Sequence, residues 1–142
     1  MVKGIAIYAK GMPYMGGMPT MVDAAAGKAY GHVTAVDVKT GKVRWQYRDA
    51  NPMMAGVVAT AGGVLFTSNL DGEALALDQA TGAKLWSFRM GGKGRGQPVV
   101  YQLDGRTYVA IPSGALANFD QMLNGKPMIP EGGQLFVFTL DP

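Results

Sequence analysis

Hydrophobic residues in this chain fall in short runs with glycine, asparagine and aspartate between them. Ala55-Gly56-Val57-Val58-Ala59-Thr60 and Val64-Leu65-Phe66-Thr67-Ser68 each read as a strand, Ala61-Gly62-Gly63 as the turn between them and Asp71-Gly72 as the next turn. A longer period lies over this pattern. Gly31-His32-Val33-Thr34-Ala35-Val36-Asp37-Val38-Lys39-Thr40-Gly41-Lys42-Val43-Arg44-Trp45 returns 41 positions later as Gly72-Glu73-Ala74-Leu75-Ala76-Leu77-Asp78-Gln79-Ala80-Thr81-Gly82-Ala83-Lys84-Leu85-Trp86. The shared frame is G-x-x-x-A-x-D-x-x-T-G-x-x-x-W, closed in both copies by an aromatic residue and an arginine, Tyr47-Arg48 and Phe88-Arg89. A degraded third copy runs from Gly133 through Phe138, with Thr139 at the aspartate position.

Each part of the frame has a physical task. Val33, Ala35 and Val36, like Ala74, Ala76 and Leu77, predict strands buried on both faces. Thr-Gly reverses the chain: Gly41 and Gly82 can take the positive φ of a tight hairpin, and Asp37 and Asp78 can accept hydrogen bonds from the turn amides and the threonine hydroxyl. Trp45 and Trp86 then stand on the returning strands, each with a large apolar face to bury and an indole N–H to satisfy. Four antiparallel strands in about 41 residues, with a tryptophan placed to pack on the next copy, is the arithmetic of a propeller blade. The predicted fold is all-β, a partial β-propeller of about three W-motif blades whose first and last are incomplete. Residues 1–48 are the end of the first blade, 49–90 a complete blade, and 91–142 the last blade with an insertion at about 115–132.

Composition narrows the classes. The chain has 142 residues, enough for one folding unit, and 21 glycines with 8 prolines break it too often for long helices. Thirteen basic and 10 acidic residues leave a net charge of +3, with no basic cluster to track phosphates, so nucleic acid is not an expected partner. The absence of cysteine removes disulfides, thiolate catalysis and cysteine-based zinc sites. The start, MVKGIAIYAKG, has too short an apolar core for a signal peptide. The 21 uncharged residues between Asp49 and Asp71 are interrupted by Asn51, Pro52, Gly56, Gly62, Gly63 and Asn69, so no membrane span is expected.

The doubled A-x-D-x-x-T-G-x-x-x-W frame resembles the tryptophan-docking blades of the pyrroloquinoline quinone (PQQ)-dependent alcohol dehydrogenases. So do Ala59-Thr60-Ala61-Gly62-Gly63-Val64-Leu65-Phe66 and Asp71-Gly72. Three further runs follow in the order of the C-terminal blades of the methanol and ethanol branch: Gly96-Gln97-Pro98-Val99-Val100-Tyr101, Asp104-Gly105-Arg106-Thr107-Tyr108-Val109-Ala110-Ile111 and Gly132-Gly133-Gln134-Leu135-Phe136-Val137-Phe138. The resemblance implies a quinone near the propeller axis with a calcium or lanthanide ion on it, a catalytic aspartate, and a periplasmic location. It places the aspartate and the metal ligands upstream of the matched part, so this chain carries no catalytic residue and no metal ligand, is expected to be inactive alone and is not expected to bind the cofactor unaided. Met54 and a position near Asn118 or Phe119 correspond to tryptophans beside the quinone in relatives, and Met54 and Asn118 are the cofactor-binding candidates.

Plainer roles compete with sharper ones. Trp45 and Trp86 repeat at blade spacing, which favours packing between blades over stacking on a cofactor. Asp37 and Asp78 recur at identical places, which favours ordering of turns over catalysis. His32 is a lone histidine with no metal-ligand company. Gly91-Gly92-Lys93-Gly94-Arg95-Gly96 precedes a strand, not a helix, and so is no nucleotide loop; it reads as a flexible connection between blades, with an anion facing Lys93 and Arg95 as the alternative. The ten methionines read as adaptable packing. Open blade faces and an unpaired strand near Phe136 call for a cover, either an upstream propeller polypeptide or further copies of this chain. Two functions remain open: the C-terminal portion of a quinone-dependent alcohol dehydrogenase, or a non-catalytic propeller fragment for assembly or ligand binding.

Overall fold

The computed structural model describes residues 10–11, 30–114 and 132–139. Among them run nine strands: β1 (Gly31–Val36), β2 (Val43–Asp49), β3 (Val58–Ala59), β4 (Val64–Ser68), β5 (Glu73–Asp78), β6 (Lys84–Arg89), β7 (Val99–Leu103), β8 (Arg106–Ser113) and β9 (Gln134–Thr139). They divide in chain order into three sheets, β1-β2, β3-β4-β5-β6 and β7-β8-β9, with every neighbouring pair antiparallel. Each repeat frame is one hairpin, β1-β2 or β5-β6. In both hairpins the register shifts at the same place, between Ala35 and Val36 and between Ala76 and Leu77, so the two copies share even their irregularity. β7 and β8 are joined by Asp104 and Gly105, both at positive φ (50° and 76°), which suits a two-residue hairpin turn.

Burial shows how the sheets stack. Side chains alternate between the two faces of a strand, so a strand buried along its whole length is covered on both sides. β5 is such a strand: Ala74, Leu75, Ala76 and Leu77 are all buried, as are Leu65, Phe66, Thr67 and Ser68 of β4. Phe66, Ala74 and Ala76 pack with Val109 and Ile111 of the third sheet, and Phe136 and Phe138 close over them. On the other face Leu65 lines a crevice with Val33, Ala35 and Trp45 of the first sheet. The second sheet is therefore sandwiched between its neighbours. Antiparallel sheets packed face to face in sequence order, unclosed among the described residues, form a partial β-propeller.

Two strands differ from their sequence expectation. β1 is half-exposed instead of buried on both faces, because only the second sheet covers it among the described residues. The first strand of the second sheet is only Val58–Ala59, not residues 55–60. The Gly56 carbonyl there accepts a bond from the Thr67 hydroxyl (3.1 Å), a side-chain partner in place of a ladder bond. Asn118 and nearly all of the expected insertion lie outside the described residues.

Candidate functional site

The two ends of the stacked sheets carry different chemistry. At one end sit the repeat turns. Asp37 Oδ1 accepts the amides of Lys39 (3.0 Å) and Thr40 (2.9 Å) and the Thr40 hydroxyl (3.0 Å). Asp78 Oδ1 accepts the amides of Ala80 (3.0 Å) and Thr81 (2.7 Å) and the Thr81 hydroxyl (2.7 Å). Hydrogen bonds to the ionised form favour it. The Thr40 amide, then its hydroxyl, hold the Asp37 carboxyl below its ordinary value; for Asp78 the Thr81 hydroxyl leads, followed by its amide. Both acids are spent on their own turns.

These turns are also the seats on which a tryptophan docks. Gly82 has φ +75°, and a Cβ placed there would lie 2.5 Å from Cε3 of Trp45, so the indole rests directly on the glycine backbone. The Trp45 N–H donates to the Gln79 carbonyl (3.0 Å) in the same turn. First and second sheets are thus joined by a tryptophan on one and a Thr-Gly turn on the other. Trp86 meets a different environment: it stacks beside Phe88 (centroids 6.2 Å apart) and meets Phe138 edge-on (5.0 Å). Gly41, the counterpart of Gly82, has positive φ (+68°) and nothing within 4 Å of its Cβ direction.

The opposite end gathers three connections, residues 50–57, 69–72 and 90–98, together with Gly114 at the end of β8. Asn69 ties them together. Its buried side-chain amide donates to Asp49 of the first sheet (3.1 Å) and Glu73 of the second (3.3 Å), while its Oδ1 accepts the Asp71 and Glu73 amides. Its backbone carbonyl accepts the Gly94 amide (2.9 Å), and the Lys93 carbonyl accepts the Gly114 amide (2.9 Å). Leu70 N–H donates to the Pro52 carbonyl (3.2 Å). Tyr47 donates to the Asp49 carboxylate (3.4 Å); burial, then the nearby Asp49 charge, push its hydroxyl pKa up. Sequence reasoning treated Asn69 only as a break in a charge-free run. Its place two residues before Asp71-Gly72 marks a turn, but nothing local encodes a bond to Asp49, 20 residues earlier.

The segment from Gly91 to Gly96 is not the loose tether its composition suggested. A Cβ at Gly92 would meet Ser113, one at Gly94 would meet Ser68, and one at Gly96 would meet Pro112. Alternate glycines lie flat against the ends of β4 and β8. Close approach is what the glycines supply here, as in a wedge between two sheets. Met54 lies on the connection between β2 and β3 and is 42% exposed, so a side chain suited to soft contact with a flat surface stands at this loop end.

Comparison with known proteins agrees with this architecture. The PQQ_2 family model, described as outer membrane protein assembly factor BamB, matches residues 29–126. The chain belongs to the PQQ_2 family. It is 33% identical over 94% of its length to quinoprotein alcohol dehydrogenase PedE of Pseudomonas putida, and spans 22% of that protein. It is 31% identical over 78% of its length to subunit 1 of the methanol dehydrogenase of Paracoccus denitrificans, of which it spans 20%. Among solved structures, a europium-containing methanol dehydrogenase superimposes on 95% of the chain with TM-score 0.72 and 28% identity, the match covering 28% of that chain. The quinohemoprotein alcohol dehydrogenase of Comamonas testosteroni covers 78% of this chain and 16% of its own, with TM-score 0.65 and 29% identity. This PQQ_2 chain therefore spans about a fifth of the curated relatives it matches.

Proposed function

We propose that this PQQ_2 chain supplies adjoining C-terminal blades of a quinone-dependent alcohol dehydrogenase of the methanol and ethanol type, with its loop end bordering the quinone. The observation that carries this reading is the doubled tryptophan frame docked sheet to sheet, in a chain one-third identical to a quinoprotein alcohol dehydrogenase along nearly its whole length. Met54 and Asn118 are the residues assigned to the rim of the quinone. The described residues do not fit the accompanying calcium or lanthanide: no group of three His, Cys, Asp or Glu among them could hold a metal, and the two carboxylates that converge, Asp49 and Glu73, bind the Asn69 amide. In this reading the metal and the catalytic base are carried by an upstream propeller polypeptide, in the periplasm where the enzyme works, and this chain alone is inactive.

Reconstitution tests the proposal. Purified chain is mixed with PQQ and calcium, with and without a polypeptide carrying the remaining blades, and dye-linked oxidation of methanol and ethanol is followed. Turnover that needs both polypeptides is the expected result. Turnover by this chain alone, or none with the partner present, overturns it. A second reading, a non-catalytic propeller segment for assembly or ligand binding, is favoured by the assembly-factor description of the matching family model. A stable complex of the two polypeptides that neither binds quinone nor turns over alcohol would select that reading.

A further inference from the structure

The glycine-rich segment between the second and third sheets is fixed firmly at its ends and lightly in between. Met90 and Pro98 are buried, and the Met90 amide donates to the Gly72 carbonyl (2.7 Å). Between these anchors residues 91–97 belong to no strand, and Gly94 meets Ser113 in an isolated bridge. Two main-chain bonds seat the segment: the Gly94 amide donates to the Asn69 carbonyl (2.9 Å), and the Gly114 amide to the Lys93 carbonyl (2.9 Å). The seat itself is costly. Ser68 lies buried against Gly94, and Ser113 Oγ lies 2.8 Å from where a Cβ on Gly92 would stand. Neither serine hydroxyl has a hydrogen-bond partner among the described residues. A buried hydroxyl without a partner forfeits its bonds to water, and that loss outweighs the net worth of a main-chain bond that water can replace. Docking therefore sets two main-chain bonds against two unsatisfied hydroxyls. Gly91, at φ +84° with nothing within 4 Å of its Cβ direction, supplies a hinge beside the first anchor.

We propose that residues 92–95 are a strap with two states, docked as in the structure and lifted as a minor population, and that the Ser68 and Ser113 hydroxyls set the balance between them. Lifting breaks the Gly94–Asn69 and Lys93–Gly114 bonds and lets water reach both hydroxyls, while Met90 and Pro98 hold the ends. The strap is thus a gate over the seam between the second and third sheets. It lies at the end of the molecule where Met54 stands, and Gln97, just beyond it, packs on Gly56 of the connection that carries Met54. The gate rests on the fold, and holds whether or not the protein takes part in quinone chemistry.

Native-state hydrogen exchange on the full chain reads the gate. The Gly94 and Gly114 amides are expected to share one protection factor that is insensitive to low urea, as a common local opening requires. Ser68→Ala and Ser113→Ala each remove a hydroxyl that only the lifted state satisfies. Each therefore raises the protection of both amides about tenfold and leaves the Gly41 amide, in the turn of the first sheet, unchanged. Gly94→Ala acts in the opposite sense, because its methyl meets Ser68, and speeds exchange of the Gly114 amide. Unchanged or faster exchange in either serine variant overturns the proposal. So does slowing that extends equally to Gly41, which would report general stabilisation, or failure of a serine variant to fold, which would show that the hydroxyl supports the docked state.

Discussion

Trp45 and Trp86 stand at the same place in two copies of one frame, yet only the first is shown with the seat its frame provides. The first has a glycine beneath it and a carbonyl for its N–H; the second leans on Phe88 and Phe138 beside an open cleft. The same contrast separates β5, buried along its length, from β9, where Leu135 is 66% and Val137 51% exposed. A repeat frame specifies a hairpin and one half of a junction. The other half comes from whichever sheet lies next, so identical sequence does not secure identical burial.

Truncating the apolar side chains on the two sides of this contrast gives the largest difference. Leu75→Ala removes a fully buried side chain from the doubly covered strand and costs about 2–5 kcal/mol. Leu135→Ala on β9 stays within about 0.5 kcal/mol. Urea unfolding monitored by circular dichroism reads both; equal losses would mean that the outer face of the third sheet is covered in solution.

The paired turn glycines give the next effect. Gly41→Ala and Gly82→Ala both force alanine into positive φ, at about 1–2 kcal/mol each. At Gly82 the new methyl also meets the Trp45 ring, which adds about 1–3 kcal/mol. The excess at Gly82 vanishes when Trp45 is already alanine, a double-mutant test of the junction. Persistence of the excess would show that Trp45 does not press on that turn.

The smallest effect separates the turns from the loop end. Asp37 and Asp78 have carboxyl pKa values below the ordinary 3.8. Groups depressed in the folded state stabilise it fully above the unfolded value, and that contribution is lost as pH falls from 3.8 through the lower folded values. The melting temperature should therefore drop on acidification below about pH 4. Asp37→Asn with Asp78→Asn should begin less stable at neutral pH and flatten that drop. An unchanged acid profile in the double variant would place the sensitivity elsewhere.

Much of this architecture was legible in the residues. The D-x-x-T-G turns, the hairpins they close and the 41-residue period follow from local chemistry: an acid that caps its own turn, a glycine that permits the reversal, apolar runs of strand length. That Trp45 packs between blades rather than on a cofactor was the expectation its periodic return raised, and its ring rests on the Gly82 turn of the next sheet. The glycine-rich segment between the second and third sheets misled, because glycine signals either freedom or close approach, and only Ser68, Pro112 and Ser113 beside it decide for approach. Asn69 stayed hidden for a related reason: its partners Asp49 and Gly94 lie in the first sheet and in the connection between the second and third, each more than 15 positions away.

Local stereochemistry was therefore written into the chain from the start, because a turn or a hairpin is satisfied by residues within a few positions of one another. Which strands are covered on both faces, which tryptophan finds its glycine, and which polar side chain links the first sheet to the second were settled only when the sheets stacked. Those outcomes depend on contacts between segments far apart in sequence, and a repeating frame contains no term for its neighbour.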